Sequence, residues 1–326
     1  MTRGAFLKRA VAVALVVAAI WYLGSSLKDN WGAVGAFHWQ VNPLLLAASV
    51  LAQVLVLVFG VFLWMLVMRS FRGAPVGFRL LLVVWALSGL ARYIPGGAVW
   101  QLAAASQMAE SRGLSRARMV TSLLIHSALA ALAAGVVGVL VLPFKVLRTG
   151  SLPAWTPWLA LLVVFAVHPR VLNGALALLN RITRRELLAW EASWPRGIAI
   201  LALECANWMV FGGAYWLFLR SLAPFPPSAI LQVCGVFSLS FLSGFVSPSG
   251  GGLGMRELAM QRLLEPYFPA AVAVLIAAVA RLWTIAAELL TALLGVMVAG
   301  PAHRALMKQG GNAVGAPVPD DDRVAP

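Results

Sequence analysis

Ionisable side chains set in otherwise apolar sequence are the residues of this chain best placed to do chemistry. Glu204 and Glu288 lie well inside long apolar stretches. Arg281 precedes Glu288 by seven positions, about two turns, which puts both on one face of a helix. Arg92 stands just before a Pro-Gly-Gly break, and Arg256 and Glu257 stand just after a Gly-rich one. Charges at membrane depth are costly and by default mark a substrate or ion site. The guanidinium fork of Arg92, Arg256 or Arg281 suits bidentate contact with a phosphate. Carboxylates at Glu204, Glu257 and Glu288 would balance that charge or exchange a proton. A purely structural reading stands beside each role. Arg281 can be neutralised by Glu288 or Glu204, and Glu257 can offset a helix dipole from the first turn. His126, about two turns into a span, reads as a helix-to-helix hydrogen bond before it reads as a proton relay. His168 precedes Pro169, where a kink is expected.

The two breaks look alike. The first, Leu87 to Gln101, contains Ser88-Gly89, then Pro95-Gly96-Gly97, then Trp100. The second, Leu242 to Glu257, contains Ser243-Gly244, then Pro248, then Gly250, Gly251, Gly252 and Gly254. The Ser-Gly pairs start 155 positions apart, 88 to 243. Pro and Gly interrupt helices. An interrupted backbone at membrane depth must be buried in protein or line a cavity. Paired interruptions in two halves of a membrane protein point to a transport site. Helices are expected to restart near Ala98 and near Leu253, and their N–H groups and positive dipole ends would suit an anion. The alternative is that the glycines only let helices pack closely. Trp100 would line the cavity or wedge the hairpin.

These residues must be positioned by membrane helices. Of 326 residues, 61% are hydrophobic and 11% charged, less than half the roughly 25% charge of a soluble domain. The net charge of +14 is read as cytoplasmic loops facing anionic lipid, so no nucleic-acid partner is expected. The fold class is all-α, a polytopic helical membrane protein. Six full spans are expected at about 8–27, 44–68, 119–142, 157–180, 197–219 and 270–299. Two further apolar segments, 80–109 and 228–265, carry the breaks and are expected as re-entrant hairpins. Most of the Lys and Arg residues fall in loops that become cytoplasmic if 80–109 starts and ends inside. By the same count 228–265 starts and ends outside, as an inverted repeat requires. Both termini are then cytoplasmic. The first apolar run is read as a retained span rather than a cleaved signal. Residues 1–302 form the membrane domain, and 303–326 are expected to be a disordered tail.

Enzyme signatures are missing. There is no H-E-x-x-H, G-x-S-x-G or G-K-[ST] motif. Cys205 and Cys234 have neither disulfide nor metal spacing. No cofactor, no metal and no catalytic residue is expected.

R-Y-I-P-G-G-A-V-W, Arg92 to Trp100, resembles the "Y-[IL]-P-G-x-[VW]-W" segment of the lysylphosphatidylglycerol synthase transmembrane region family, also called flippase-like membrane proteins. P-S-G-G-G-L-G-M-R-E, Pro248 to Glu257, resembles that family's "P-G-G-[LIV]-G-x-[RW]-E" segment, with Pro-Ser-Gly-Gly-Gly in place of Pro-Gly-Gly. The resemblance extends over nearly the whole chain in span count and motif order. It implies translocation of a phospholipid or polyprenyl-linked lipid between leaflets of a bacterial inner membrane, with membrane lipids as partners. The sequence carries no soluble aminoacyl-transferase domain, so lipid aminoacylation is not expected. Two alternatives stay open: a small-solute secondary transporter, and a non-transporting partner subunit of a membrane glycosyltransferase. A homodimer is a further partner class.

Overall fold

The computed structural model describes residues 31–73, 75–91, 97–111, 113–141, 158–184, 186–247, 252 and 254–298, with Trp21, Ser25 and Lys28 before them. The described part is helical: α1 Trp31–Ala36, α2 Pro43–Met68, α3 Phe78–Leu90, α4 Gly97–Glu110, α5 Arg116–Val141, α6 Leu159–Ala166, α7 Pro169–Thr183, α8 Trp194–Leu222, α9 Ile230–Val246, α10 Met255–Leu264 and α11 Ala270–Val298. A short 3-10 turn, Pro227–Ala229, leads into α9.

Among the described residues five helical segments are long and apolar enough to cross a membrane: α2, α5, α8, Pro227–Val246 and α11. Four of them coincide with expected spans. The expected first span, 8–27, and the tail, 303–326, lie outside the described residues apart from Trp21 and Ser25. The expected span 157–180 is corrected. It is not one helix but α6 followed by α7, broken at Pro169. Pro has no N–H to continue the helix, and the His168 side chain caps the new one by accepting from the Arg170 N–H at 3.1 Å. The first arm of the second expected hairpin is also longer than a half-crossing, at 20 residues from Pro227 to Val246.

Helix α2 starts cleanly because Asn42 accepts from the Leu45 N–H at 3.0 Å and Pro43 occupies the first turn. It lies against α8 and runs the opposite way. At one end Gln40 and Asn42 donate to the Leu222 and Ser221 carbonyls at 2.9 and 2.8 Å. At the other end the Arg196 guanidinium donates to the Leu66 carbonyl, and Arg72 pairs with Glu191 at 3.0 Å. The second end gathers Arg69, Arg72, Arg116, Arg118 and Arg196 where α2 stops and α5 and α8 begin.

The chain leaves this basic end in α3 and returns to it in α4. Arg118, at the start of α5, donates to the Met68 and Phe71 carbonyls that close α2, so residues 72–117 form an excursion with joined ends. The opposite end mirrors this. Phe225, before α9, stacks on Phe268, before α11, at 5.5 Å, and Phe268 meets Phe37 ahead of α2 at 6.0 Å. The two hairpins therefore enter the bundle from opposite ends.

A shift of 155, the spacing of Ser88 and Ser243, carries α2 to 198–223, α3 to 233–245, α4 to 252–265 and α5 to 271–296. These fall on α8, α9, α10 and α11. The packing repeats as well: α3 lies on α11 as α9 lies on α5, and α2 flanks α11 as α8 flanks α5. Because the equivalent helices α2 and α8 are antiparallel, the axis relating the halves lies across the helices. An aromatic core of Trp208, Tyr215, Phe218, Phe237 and Trp283 fills the centre. At Gly212 a Cβ would overlap Cys234 of α9, so the absent side chain sets how closely α8 and α9 pack.

The joined ends make a topological prediction. Single cysteines at Arg72 and Arg116, both exposed, are expected to label from the same side of the membrane in intact cells. Labelling from opposite sides would show that α3 and α4 together cross it.

Candidate functional site

The second hairpin places two charges, Arg256 and Glu257, beside a third, Arg281, in the middle of α11. Helix α10 begins at Met255, two residues after the expected restart, behind Gly254 at φ +87°. Glu257 folds back so that its Oε2 accepts from the Gly254 N–H at 2.7 Å. That bond satisfies a donor at the helix start and sets a negative charge against the positive end of the dipole. The other oxygen, Oε1, lies 3.7 Å from Arg281 Nη1. Both side chains are nearly buried, at 12% and 10% exposure. The Arg256 guanidinium lies 5.2 Å above the Phe237 ring, and its Nη2 donates to Thr284 Oγ1 at 3.4 Å. Arg256, Glu257, Met260, Ala277, Ala280 and Arg281 line a narrow cleft. The sequence expected open N–H groups at this helix start; the Gly254 donor is instead taken by the chain's own carboxylate.

The tip is built on two glycines. Gly252 has φ +71°, a region that side chains with a Cβ avoid. A Cβ there would sit 2.7 Å from the Gly244 Cα. Gly244 in turn faces the Arg256 Cβ. Gly244 and Gly252 are thus two sides of one backbone contact, beside which Arg256 turns toward α11. Gly250 and Gly251 lie outside the described residues.

At the first break Arg92, Pro95 and Gly96 lie outside the described residues. Gly97 is the first residue of α4, one position before the expected restart, and Trp100 is half-exposed in its first turn. The end of α3 also reaches α11. Leu57, Trp85, Ala86, Gly89, Leu90, Glu288 and Thr291 line a second cleft. Arg281 and Glu288, which meet the second and first hairpins respectively, are the twelfth and nineteenth residues of α11. The end of α3 and the start of α10 therefore both meet the central two turns of one long helix.

Glu204 is found elsewhere. It lies on α8, 1% exposed, with its Oε1 3.0 Å from Nδ1 of His126 on α5. The two atoms are in close contact but are not aligned as a hydrogen bond. Trp85 packs edge-on against the imidazole at 5.2 Å. Of the expected charge neighbours, Arg281 lies beside Glu257 and Glu204 beside His126. Shifting His126 by 155 gives Arg281, so each half carries one basic residue at the same place, each beside a glutamate.

Sequence reasoning assigned no site role to Thr284, Tyr215 or His126. Tyr215 is fully buried beside Phe237 and Trp283, with no hydrogen-bond partner for its hydroxyl. Thr284 was legible only as the residue one turn after Arg281, whereas His126, expected to reach across to a neighbouring helix, does so at Glu204. Among the described residues no three His, Cys, Asp or Glu side chains converge as metal ligands would.

Comparison with protein families matches residues 9–293 to the model of the Lysylphosphatidylglycerol synthase TM region. Comparison with curated proteins finds no match.

Proposed function

We propose that this chain, which belongs to the lysylphosphatidylglycerol synthase TM region family, is a lipid translocase that moves an anionic phospholipid or polyprenyl-linked lipid between the leaflets of a bacterial inner membrane. One observation carries the reading: the end of α3 and the start of α10 both meet the middle of α11, and the second brings Arg256, Glu257, Arg281 and Thr284 together there. In this reading the hairpins are re-entrant and both termini are cytoplasmic. Interrupted helices meeting at mid-depth between inverted repeats are the usual setting of a transport site.

The geometry supports a binding step. The Glu257–Arg281 separation of 3.7 Å exceeds the 2.7–2.9 Å of a strong charge-assisted hydrogen bond. A phosphate entering the cleft would take Glu257's place at Arg281, while Glu257 keeps its bond to the Gly254 N–H. Arg256, held by Thr284 and Phe237, would supply the second guanidinium. The lipid tails stay in the bilayer beside the hairpin. No bond of the lipid is made or broken, so the protein acts as a carrier.

The test is leaflet transfer by the purified protein in vesicles, with fluorescent phosphatidylglycerol, polyprenyl phosphate and phosphatidylcholine as probes. Wild type should move the anionic lipids in preference to the neutral one. Glu257→Gln should still fold and transfer about tenfold more slowly, a loss of roughly 1.4 kcal/mol, because an uncharged amide no longer displaces the phosphate from Arg281 and its release slows. A Glu257→Gln rate equal to wild type across pH would leave the carboxylate only its capping role. Absence of transfer by wild type for every probe, with a glycosyltransferase copurifying, would replace the carrier with a partner subunit.

A further inference from the structure

Helix α7 stands apart from the bundle. Of the other described helices only α6 packs appreciably on it. It is held instead by its own connection to α8: Asn173 bonds both backbone groups of Trp190 at 3.1 and 2.7 Å, and Asn180 bonds both of Leu187 at 3.1 and 2.9 Å. Asn173, Leu176 and Asn180 share one face, and Leu176 is the buried residue of the helix. The clamped connection is anchored at the basic end of the bundle, where Leu188 donates to Thr121 of α5 and Glu191 pairs with Arg72.

The rest of α7 divides in two. Val171, Leu178, Leu179 and Ile182 fall within a sector of about 100° and are 53%, 58%, 39% and 70% exposed. Arg170 and Arg181 fall in the sector between that stripe and the clamped face, and Arg184 closes the helix. The helix contains no acidic residue. Trp158, Leu162 and Phe165, exposed at 68%, 60% and 61%, extend the apolar surface along α6. Glu186 follows in the exposed connection.

We infer that α7 is an interfacial helix that docks on an anionic lipid surface at the basic end of the bundle, with its Val171–Ile182 stripe in the acyl boundary and Arg170, Arg181 and Arg184 on the lipid phosphates. The choice of occupant follows from charge. An amphipathic helix with an apolar face, a purely basic polar flank and one side fastened to protein suits a head-group layer. It lies at the end already lined by Arg69, Arg72 and Arg116. A helix that crossed the bilayer would leave Arg170 in hydrocarbon.

The experiment uses the full chain with Cys205→Ser and Cys234→Ser, reconstituted in phosphatidylcholine vesicles with and without phosphatidylglycerol. A fluorophore is attached at Leu178→Cys, Ile182→Cys or Arg181→Cys in turn. Shallow doxyl-labelled lipid should quench the first two strongly, and iodide should quench the third. Removing phosphatidylglycerol should raise amide exchange in α7 while α2 and α8 stay protected. The triple variant Arg170→Gln/Arg181→Gln/Arg184→Gln should exchange at the raised rate in both vesicles. Iodide quenching of the Leu178 and Ile182 labels equal to that at Arg181 overturns the docking. Doxyl quenching that ignores phosphatidylglycerol overturns the anionic preference. Disulfide cross-linking of two copies through Leu178→Cys, without doxyl quenching, would assign the face to a second copy of the chain.

Discussion

Gly252→Leu is expected to abolish lipid transfer and to lower the thermal stability of the purified protein. Two costs combine at this position. The backbone stands at φ +71°, where a residue with a Cβ is strained by roughly 1–3 kcal/mol. The new Cβ would also meet the Gly244 Cα, C and O at 2.7, 2.9 and 2.9 Å, which is backbone and has no rotamer to give way. Either α9 and the tip separate or the tip refolds. Both outcomes move Arg256, whose Cβ lies against Gly244, off Thr284. Gly252→Ala should show the same loss in weaker form, since it carries the strain and the first contact but no larger side chain. Gly213→Ala is the control: a Cβ there meets nothing within 4 Å, and in the middle of α8 it should be neutral or stabilising. If Gly252→Leu transfers lipid at the wild-type rate, the second break is no substrate site.

Glu204→Ala is expected to destabilise the fold by about 1–3 kcal/mol, because it opens a space in a buried site and leaves the His126 imidazole without its polar neighbour. Both partners are almost fully buried, at 4% and 1% exposure, and Trp85 closes one side of the imidazole. The titratable or charged groups on the helices around them are few. Helix α2 carries none and α9 has Cys234; α8 adds Cys205 beside Glu204 and Tyr215 farther on; Arg118 and Arg196 stand about two turns nearer the basic end. His126→Leu with Glu204→Met should regain most of the lost stability, since an apolar pair of similar volume replaces both groups together. Melting temperatures of the two single variants and the double variant measure the coupling. If the single variants melt like wild type, the pair contributes nothing to folding, and a transfer assay of the same proteins would then ask for a role in transport.

Much of the candidate site is legible in the sequence. The Pro and Gly runs marked two helix breaks because the effects of those residues on the backbone are local. Arg256, Glu257 and Arg281 were marked because a charge in apolar sequence is costly wherever it ends up. The opposed entry of the hairpins followed from the distribution of Arg, which responds to the membrane face and not to tertiary neighbours. The segment 157–180 failed for the reason the breaks succeeded. Its average hydropathy resembles a span, but Pro169 and the His168 cap are local signals of a new helix, and average hydropathy outweighed them.

The sequence by itself determined an all-helical membrane chain, two equivalent interruptions 155 positions apart, and a short set of residues unable to rest in lipid without a partner. It did not determine the partners. A periodic pattern says which side of a helix turns inward but not which helix it meets or at what height. Glu204 reaches His126, and Arg281 reaches Glu257, because α8 lies alongside α5 and α10 against α11 in one relative register. The two exposed sides of α7 also became distinct only when Asn173 and Asn180 fastened the third side to residues 187–190. Contacts between residues 78 or 24 positions apart depend on how whole helices pack, and that packing is decided by the fit of many side chains together.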